Sequence, residues 1–177
     1  MPYAVQLNLD AGTNAALGAL ADFLDRVPGI ETVRSLGDVH HLSLAVYDAL
    51  EVEPFAAELE RFAATVAAVP IQLAGLGLFT GSGVLTIAPV PTEALLQLHR
   101  RFHDAMAAWA GACREHYHPA RWVPHVTLAM ETDGDGSGLD RAASFVRRHW
   151  RPGAARLDAV SLDRFYPVET LFLQALI

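Results

Sequence analysis

Two short stretches constrain this chain more than anything else in it: His41-Leu42-Ser43-Leu44-Ala45-Val46 and Pro124-His125-Val126-Thr127-Leu128-Ala129-Met130. In a β-strand, residues two apart share a face. Each stretch therefore sets a histidine and a hydroxyl on one side, and turns Leu42, Leu44, Val126 and Leu128 to the other. Such strands need an apolar core behind them and a polar space in front. Antiparallel sheets with one buried face supply both; the doubly covered strands of a parallel sheet do not. With 8 histidines in 177 residues, ~0.3 tetrads of histidine, any residue, Ser or Thr, then apolar would arise by chance, and two only about one time in twenty.

The rest of the chain alternates strands and helices. Tyr3 to Leu9 alternates Val5, Leu7 and Leu9 with Gln6 and Asn8, a strand period. Thr13 is positioned to cap a helix running to about Val27, stopped by Pro28-Gly29. Val39 to Val46 is the next strand. A helix follows from Glu51 to about Val69, with Phe55, Leu59, Phe62 and Val66 at helical spacing. Ile71 to Phe79 and Val84 to Ala88 read as a hairpin turning at Thr80-Gly81-Ser82-Gly83. Thr92 caps a long helix to about Glu115. A His-rich loop leads into the strand His125 to Met130. After a loop over 133–138 come a helix near Leu139 to Trp150 and two strands, about Ala155 to Asp163 and Val168 to Leu176. Frequent hairpin signals favour an α+β fold over a doubly wound parallel sheet.

Composition narrows the class. At 52% hydrophobic and 19% charged, the chain can bury a sizeable core. A net charge of −7 argues against a long grip on nucleic acid, which needs a basic face, but leaves room for a small anionic ligand. The alternating N-terminus is unlike a signal peptide, and no apolar run reaches the roughly 18 residues of a membrane span. Cys113 is the lone cysteine, so no internal disulfide forms, and a cytoplasmic protein without a membrane partner is expected.

Two imidazoles beside two hydroxyls suit phosphate-ester chemistry. A neutral histidine takes a proton from water or a hydroxyl, and a protonated one gives a proton to the leaving oxygen. Both states are accessible near neutral pH because the ordinary histidine pKa is about 6.5. The Ser43 and Thr127 hydroxyls can donate to non-bridging phosphoryl oxygens, where charge builds in the transition state. The scheme needs no metal and no cofactor.

The paired motifs, 84 residues apart, resemble the signature of the two-histidine (2H) phosphoesterase superfamily, and most closely its 2′-5′ RNA ligase/RNA 2′,3′-cyclic phosphodiesterase branch. The likeness covers nearly the whole chain. It includes Leu76-Gly77-Leu78-Phe79 and the Pro124 directly before the second motif. It implies one domain over residues 1–177, built as two pseudo-symmetric lobes. Each lobe would be an antiparallel sheet with helices outside, and the active cleft would lie between them. It also implies metal-independent opening of a cyclic phosphodiester at a small cyclic phosphate or RNA terminus. By the same resemblance, His41 and His125 are the catalytic pair and Ser43 and Thr127 bind phosphate. The chain is expected to act as a monomer. The branch often carries an arginine shortly after the second motif. Met130 stands in that region here, which directs the reading from RNA toward smaller cyclic phosphates. A nucleotide- or RNA-end-binding module without turnover is the alternative.

Five further residues are candidates for substrate contact. Arg121 could meet a phosphate and Trp122 could stack on a base. Arg34 is a second candidate anion partner, and Phe79 and Tyr166 could wall a base. Of the remaining histidines, His40 points opposite to His41. His99 and His103 share a helix face that could bind zinc, although a solvated face is the better fit. His116 and His118 read as surface residues. The loop from Asp133 to Gly138 mimics a calcium loop but lacks its closing Glu.

Overall fold

A computed structural model of the chain describes residues 1–79, 81–132 and 134–177; Thr80 of the expected hairpin turn and Asp133 of the expected loop lie outside the described residues. The strands are β1 (Tyr3–Leu9), β2 (Ile30–Thr32), β3 (His41–Tyr47), β4 (Val69–Phe79), β5 (Val84–Pro89), β6 (Val126–Glu131), β7 (Gly153–Arg164) and β8 (Glu169–Ala175). The helices are α1 (Ala11–Leu24), α2 (Val52–Ala63), α3 (Glu93–Ala105) and α4 (Ser137–His149).

All strand pairings are antiparallel. β1 lies between β3 and β7, and β8 extends that sheet beyond β7. β5 lies between β4 and β6, with the short β2 on β6. The long β4 joins the two sheets. Its first residues pair with β7 through Val69↔Leu157 to Leu73↔Gly153, and its later ones pair with β5 to Phe79↔Val84. At the opposite seam β3 meets β6 at one pair, Leu42↔Val126. This is the expected α+β arrangement of two antiparallel lobes with one motif strand in each.

The lobes are not the two halves of the sequence. α1 and α4 pack on β2 and β6, whereas α2 packs on β8 and α3. Apolar side chains fill the space between helices and sheets. Leu42, Leu44, Val126 and Leu128 are all fully buried, as their strand parity requires.

Several local readings change. Asp10, not Thr13, caps α1, accepting from the Thr13 backbone N–H at 2.9 Å and hydroxyl at 2.7 Å. Thr13 is the third helical residue, where its exposed donors complete the cap. Thr92 does cap α3, accepting from the Leu95 N–H at 3.3 Å. That helix stops at Ala105 rather than near Glu115, and a 3-10 turn over Ala107–Ala112 follows. The turn brings Trp109 edge-on to Phe55, with ring centroids 5.1 Å apart. β2 carries only three residues, too few for a periodicity signal.

Candidate active site

The seam between the lobes explains how the two motifs meet. Leu42 lies between His41 and Ser43, and Val126 lies between His125 and Thr127. Because the β3–β6 contact is the antiparallel pair Leu42↔Val126, His41 is turned toward Thr127 and Ser43 toward His125 on the face opposite the core. All four side chains line one cavity of about 140 Å³.

The two histidines are held by the same device. His41 Nδ1 is 2.8 Å from the Val39 carbonyl, and His125 Nδ1 is 2.7 Å from the Val123 carbonyl. A carbonyl only accepts, so each Nδ1 carries hydrogen and donates, and each Nε2 remains for proton transfer. The surroundings then differ. His41 Nδ1 lies 3.6 Å from Asp38 Oδ2. Asp38 is itself fixed, accepting from the Gln6 side-chain amide at 3.1 Å and from the Val39 N–H at 2.8 Å. His125 meets the edge of Phe79, with ring centroids 4.8 Å apart. Burial pushes the His125 pKa down, its bond to the Val123 carbonyl opposes this, and the nearby His41 charge pushes it down further.

Ser43 is positioned from outside the cavity. The register of β3 against β1 slips between Val5 and Gln6, and there the carbonyls of Ser43 and Leu44 take side-chain donors. The Trp122 indole N–H donates to the Ser43 carbonyl at 3.0 Å, and His99 Nε2 donates to the Leu44 carbonyl at 3.0 Å. Trp122 and His99 stack face to face at 3.8 Å and 7°. Tyr117, whose pKa burial raises, reaches the Ser43 side chain.

A second cavity of about 550 Å³ opens beside the first, sharing His125 and Tyr117 with it and walled by Phe79, Arg121 and Trp122. Phe79 lines the larger cavity, and Tyr166, 55% exposed, lines the smaller one. Arg121 is exposed and pairs with Glu115 at 3.0 Å. Two candidates fall differently. Trp122 is buried, with one ring face covered by His99 and its N–H committed to β3, so it anchors the motif strand as well as lining the larger cavity. Arg34 lines neither cavity; its guanidinium pairs with Asp22 at 3.4 Å on the surface of α1.

The other histidines also resolve. His40 is buried opposite His41, and burial, with the His41 charge second, pushes its pKa down to about 4. His99 and His103 are not a solvated face. His99 is buried and His103 half-buried against β3, with their Nε2 atoms 3.2 Å apart. Among the described residues no three His, Cys, Asp or Glu side chains converge in a way that could hold a metal ion. His116 lines the larger cavity, and His118 stacks beside His103.

Asp38, Gln6 and Tyr117 belong to this site and were not among the sequence candidates. Gln6 had a usable signal. It sits on the β1 face opposite the buried Val5 and Leu7, and pairs in register with Ser43.

The profile of the 2′-5′ RNA ligase superfamily matches residues 21–165. The chain belongs to that superfamily. Membership carries phosphoesterase-type chemistry in general terms. No curated protein matches the chain significantly in sequence. The fold is shared with TT0787 of Thermus thermophilus, at 18% identity and a TM-score of 0.68, covering 99% of this chain and 98% of that one. It is also shared with E. coli LigT in complex with 3′-AMP, at 17% identity and a TM-score of 0.67, covering 99% of both chains. LigT has further crystal structures with NADP+ and with ATP. Among the described residues, no helix is long and apolar enough to cross a membrane.

Proposed function

We propose that this superfamily member hydrolyses a cyclic phosphodiester, a 2′,3′-cyclic phosphate of a nucleotide or RNA end, with His41 and His125 as the general acid–base pair. The observation that carries the reading is the shared cavity. His41, Ser43, His125 and Thr127 line it together, and each histidine is tied through Nδ1 to a carbonyl two residues earlier. With Nδ1 occupied, each Nε2 is left to take or give a proton. The two hydroxyls can donate to the phosphoryl oxygens while the charge on them grows.

The smaller cavity suits a phosphate and little more, and the larger one beside His125 suits the group attached to it. Met130 lines the smaller cavity in the region where the branch often carries an arginine. That favours a compact cyclic phosphate over a long RNA strand, as does the net charge of −7. The nucleotide complexes of LigT make nucleotides the first substrates to try. Cys113, free and buried, fits a reducing compartment such as the cytoplasm.

The test is a substrate panel in EDTA: 2′,3′-cyclic mononucleotides and a short RNA ending in a 2′,3′-cyclic phosphate, with the phosphomonoester product followed by phosphorus NMR. Turnover of the mononucleotides at least as fast as of the RNA end is expected. Binding of the panel without turnover by the folded protein would replace this reading with a binding module.

A further inference from the structure

Fixed positive charge in this molecule does not sit around the motif cavity. Among the described residues, no arginine or lysine lines the smaller cavity, whereas the larger one beside His125 is lined by Arg114 and Arg121, together with His116. Among the described residues, no carboxylate lines that larger cavity. The chain as a whole is acidic, with a net charge of −7. A cleft lined by one sign of charge concentrates ligands of the other. We propose that Arg114 and Arg121 form a second phosphate subsite, so that the preferred substrate is a nucleoside 2′,3′-cyclic phosphate carrying a further phosphomonoester at its 5′ carbon. The subsite rests on the hydrolytic reading above and names its substrate class.

The segment that carries the two arginines is held by backbone bonds. Cys113 bridges Tyr47 at the end of β3, and the Arg114 N–H donates to the Val46 carbonyl at 2.8 Å. A 3-10 turn over Glu115–Tyr117 follows. The N–H groups of Arg121 and Trp122 both donate to the His118 carbonyl, at 2.8 and 3.0 Å. Each guanidinium also has a carboxylate partner that does not line the cavity. Arg114 Nε and Nη2 both approach Asp48 Oδ1, at 2.8 and 2.7 Å, and Arg121 Nη1 is 3.0 Å from Glu115 Oε1. Both pairs are exposed, and exposed pairs are weak. A guanidinium has five N–H donors, so each arginine keeps donors for a phosphate while its carboxylate stays in place.

What a nucleotide can offer such a subsite is limited. Ribose and the ordinary bases are neutral, so the groups that call for paired guanidiniums are phosphates. In a 2′,3′-cyclic phosphate both secondary hydroxyls are already esterified, which leaves the 5′ carbon as the place for a second one. The cyclic diester carries one negative charge, and a 5′-monoester carries about −1.5 to −2 with three acceptor oxygens. The histidines and hydroxyls of the motifs suit the first, and the arginines suit the second. His125 and Tyr117 line both cavities, so one molecule can occupy the two together. An RNA end also brings a second phosphate, but as a singly charged diester, which fills the subsite less well.

The experiment compares kcat/KM for 2′,3′-cyclic AMP, its 5′-phosphorylated form and the dinucleotide ApA ending in a 2′,3′-cyclic phosphate. Wild type, Arg114→Gln, Arg121→Gln and the double variant are used, each checked by thermal unfolding. Calorimetric binding of 3′-AMP and of adenosine 3′,5′-bisphosphate is measured in parallel, because it needs no turnover. Wild type should favour the 5′-phosphorylated substrate about 10- to 100-fold, mainly through KM, and bind the bisphosphate more tightly by a similar factor. Each single variant should lose part of that preference, and the double variant should keep no more than about threefold. The ratio of two substrates on one protein cancels any general effect of a substitution on folding or on the reacting phosphate. Equal kcat/KM and equal affinity in folded wild type, or a preference that survives in the double variant, would overturn the subsite. A dinucleotide turned over faster than the 5′-monoester would overturn the monoester assignment in favour of an RNA backbone. Tighter binding of the bisphosphate with no turnover of any substrate would support the subsite and overturn the hydrolytic reading instead.

Discussion

Trp122→Phe removes the indole N–H from the site's outer wall together with the volume of the second ring, and keeps one aromatic ring. The phenyl ring can still stack on His99, which now lies 3.8 Å from the indole. What is lost is the indole N–H donated to the Ser43 carbonyl at 3.0 Å, along with part of the buried ring. A buried carbonyl left without its donor costs about 1–3 kcal/mol. Ser43 is only half-buried, so water recovers part of that, and the lost bond alone costs about 1–2 kcal/mol, to which the emptied ring volume adds. For a chain of this length, that lowers Tm by roughly 2–8 °C. The same carbonyl fixes the backbone of a residue whose hydroxyl faces the cavity, so kcat/KM should fall about tenfold, within the range that a sub-ångström misplacement produces. Differential scanning calorimetry and steady-state kinetics on 2′,3′-cyclic AMP give the two numbers. A Tm within about 1 °C of wild type would refute the claim that this bond holds β3, and an unchanged kcat/KM with a lowered Tm would refute its link to the site.

Stability should fall on mild acidification. His40 and His99 are buried with pKa values pushed down to about 4 and about 3 respectively, and that of His103 is also lowered, each mainly by burial. Between the ordinary histidine pKa of about 6.5 and those values, the unfolded chain binds protons that the folded one does not. Each such group then removes up to about 1.4 kcal/mol per pH unit, and denaturant titration that finds equal stability at about pH 7 and pH 5 would contradict the burial. Gly138→Ala should destabilise α4 by about 1–3 kcal/mol, because a Cβ there would sit 2.7 Å from the Pro28 carbonyl oxygen, which is backbone and cannot swing aside. A calorimetric Tm equal to wild type would show that the loop yields instead.

Much of the site could be read from sequence because it is local. The parity of His41-Leu42-Ser43-Leu44 and of His125-Val126-Thr127-Leu128 separates cavity face from core face with no tertiary information, and the buried leucines and valine follow that parity. What the parity cannot supply is the partner of each strand. Trp122 reads as a loop aromatic until its N–H is found on a carbonyl 79 residues away. His99 and His103 look solvated on a helix with charged neighbours, and only the approach of α3 to Leu44 turns them inward. Asp38, after Gly37, reads as a turn residue; its partner Gln6 is 32 positions earlier and meets it only when β1 and β3 pair. Arg34 fails for the converse reason. Proximity in sequence to a motif strand does not fix a side chain's direction, and Asp22 on α1 draws it away. The swapped helices, α1 on the β6 lobe and α2 on the β3 lobe, are likewise a matter of chain crossing that local pattern does not encode.

The central claim is that His41 and His125 act as one unit on one phosphate. The most direct measurement compares kcat for 2′,3′-cyclic AMP in EDTA among wild type, His41→Ala, His125→Ala and the double variant. Each single variant should lose about 10²- to 10⁴-fold, and the double variant should lose little more than the worse single one, because either loss already disables proton transfer. Near-normal turnover in either single variant, or losses that multiply in the double, would contradict the account.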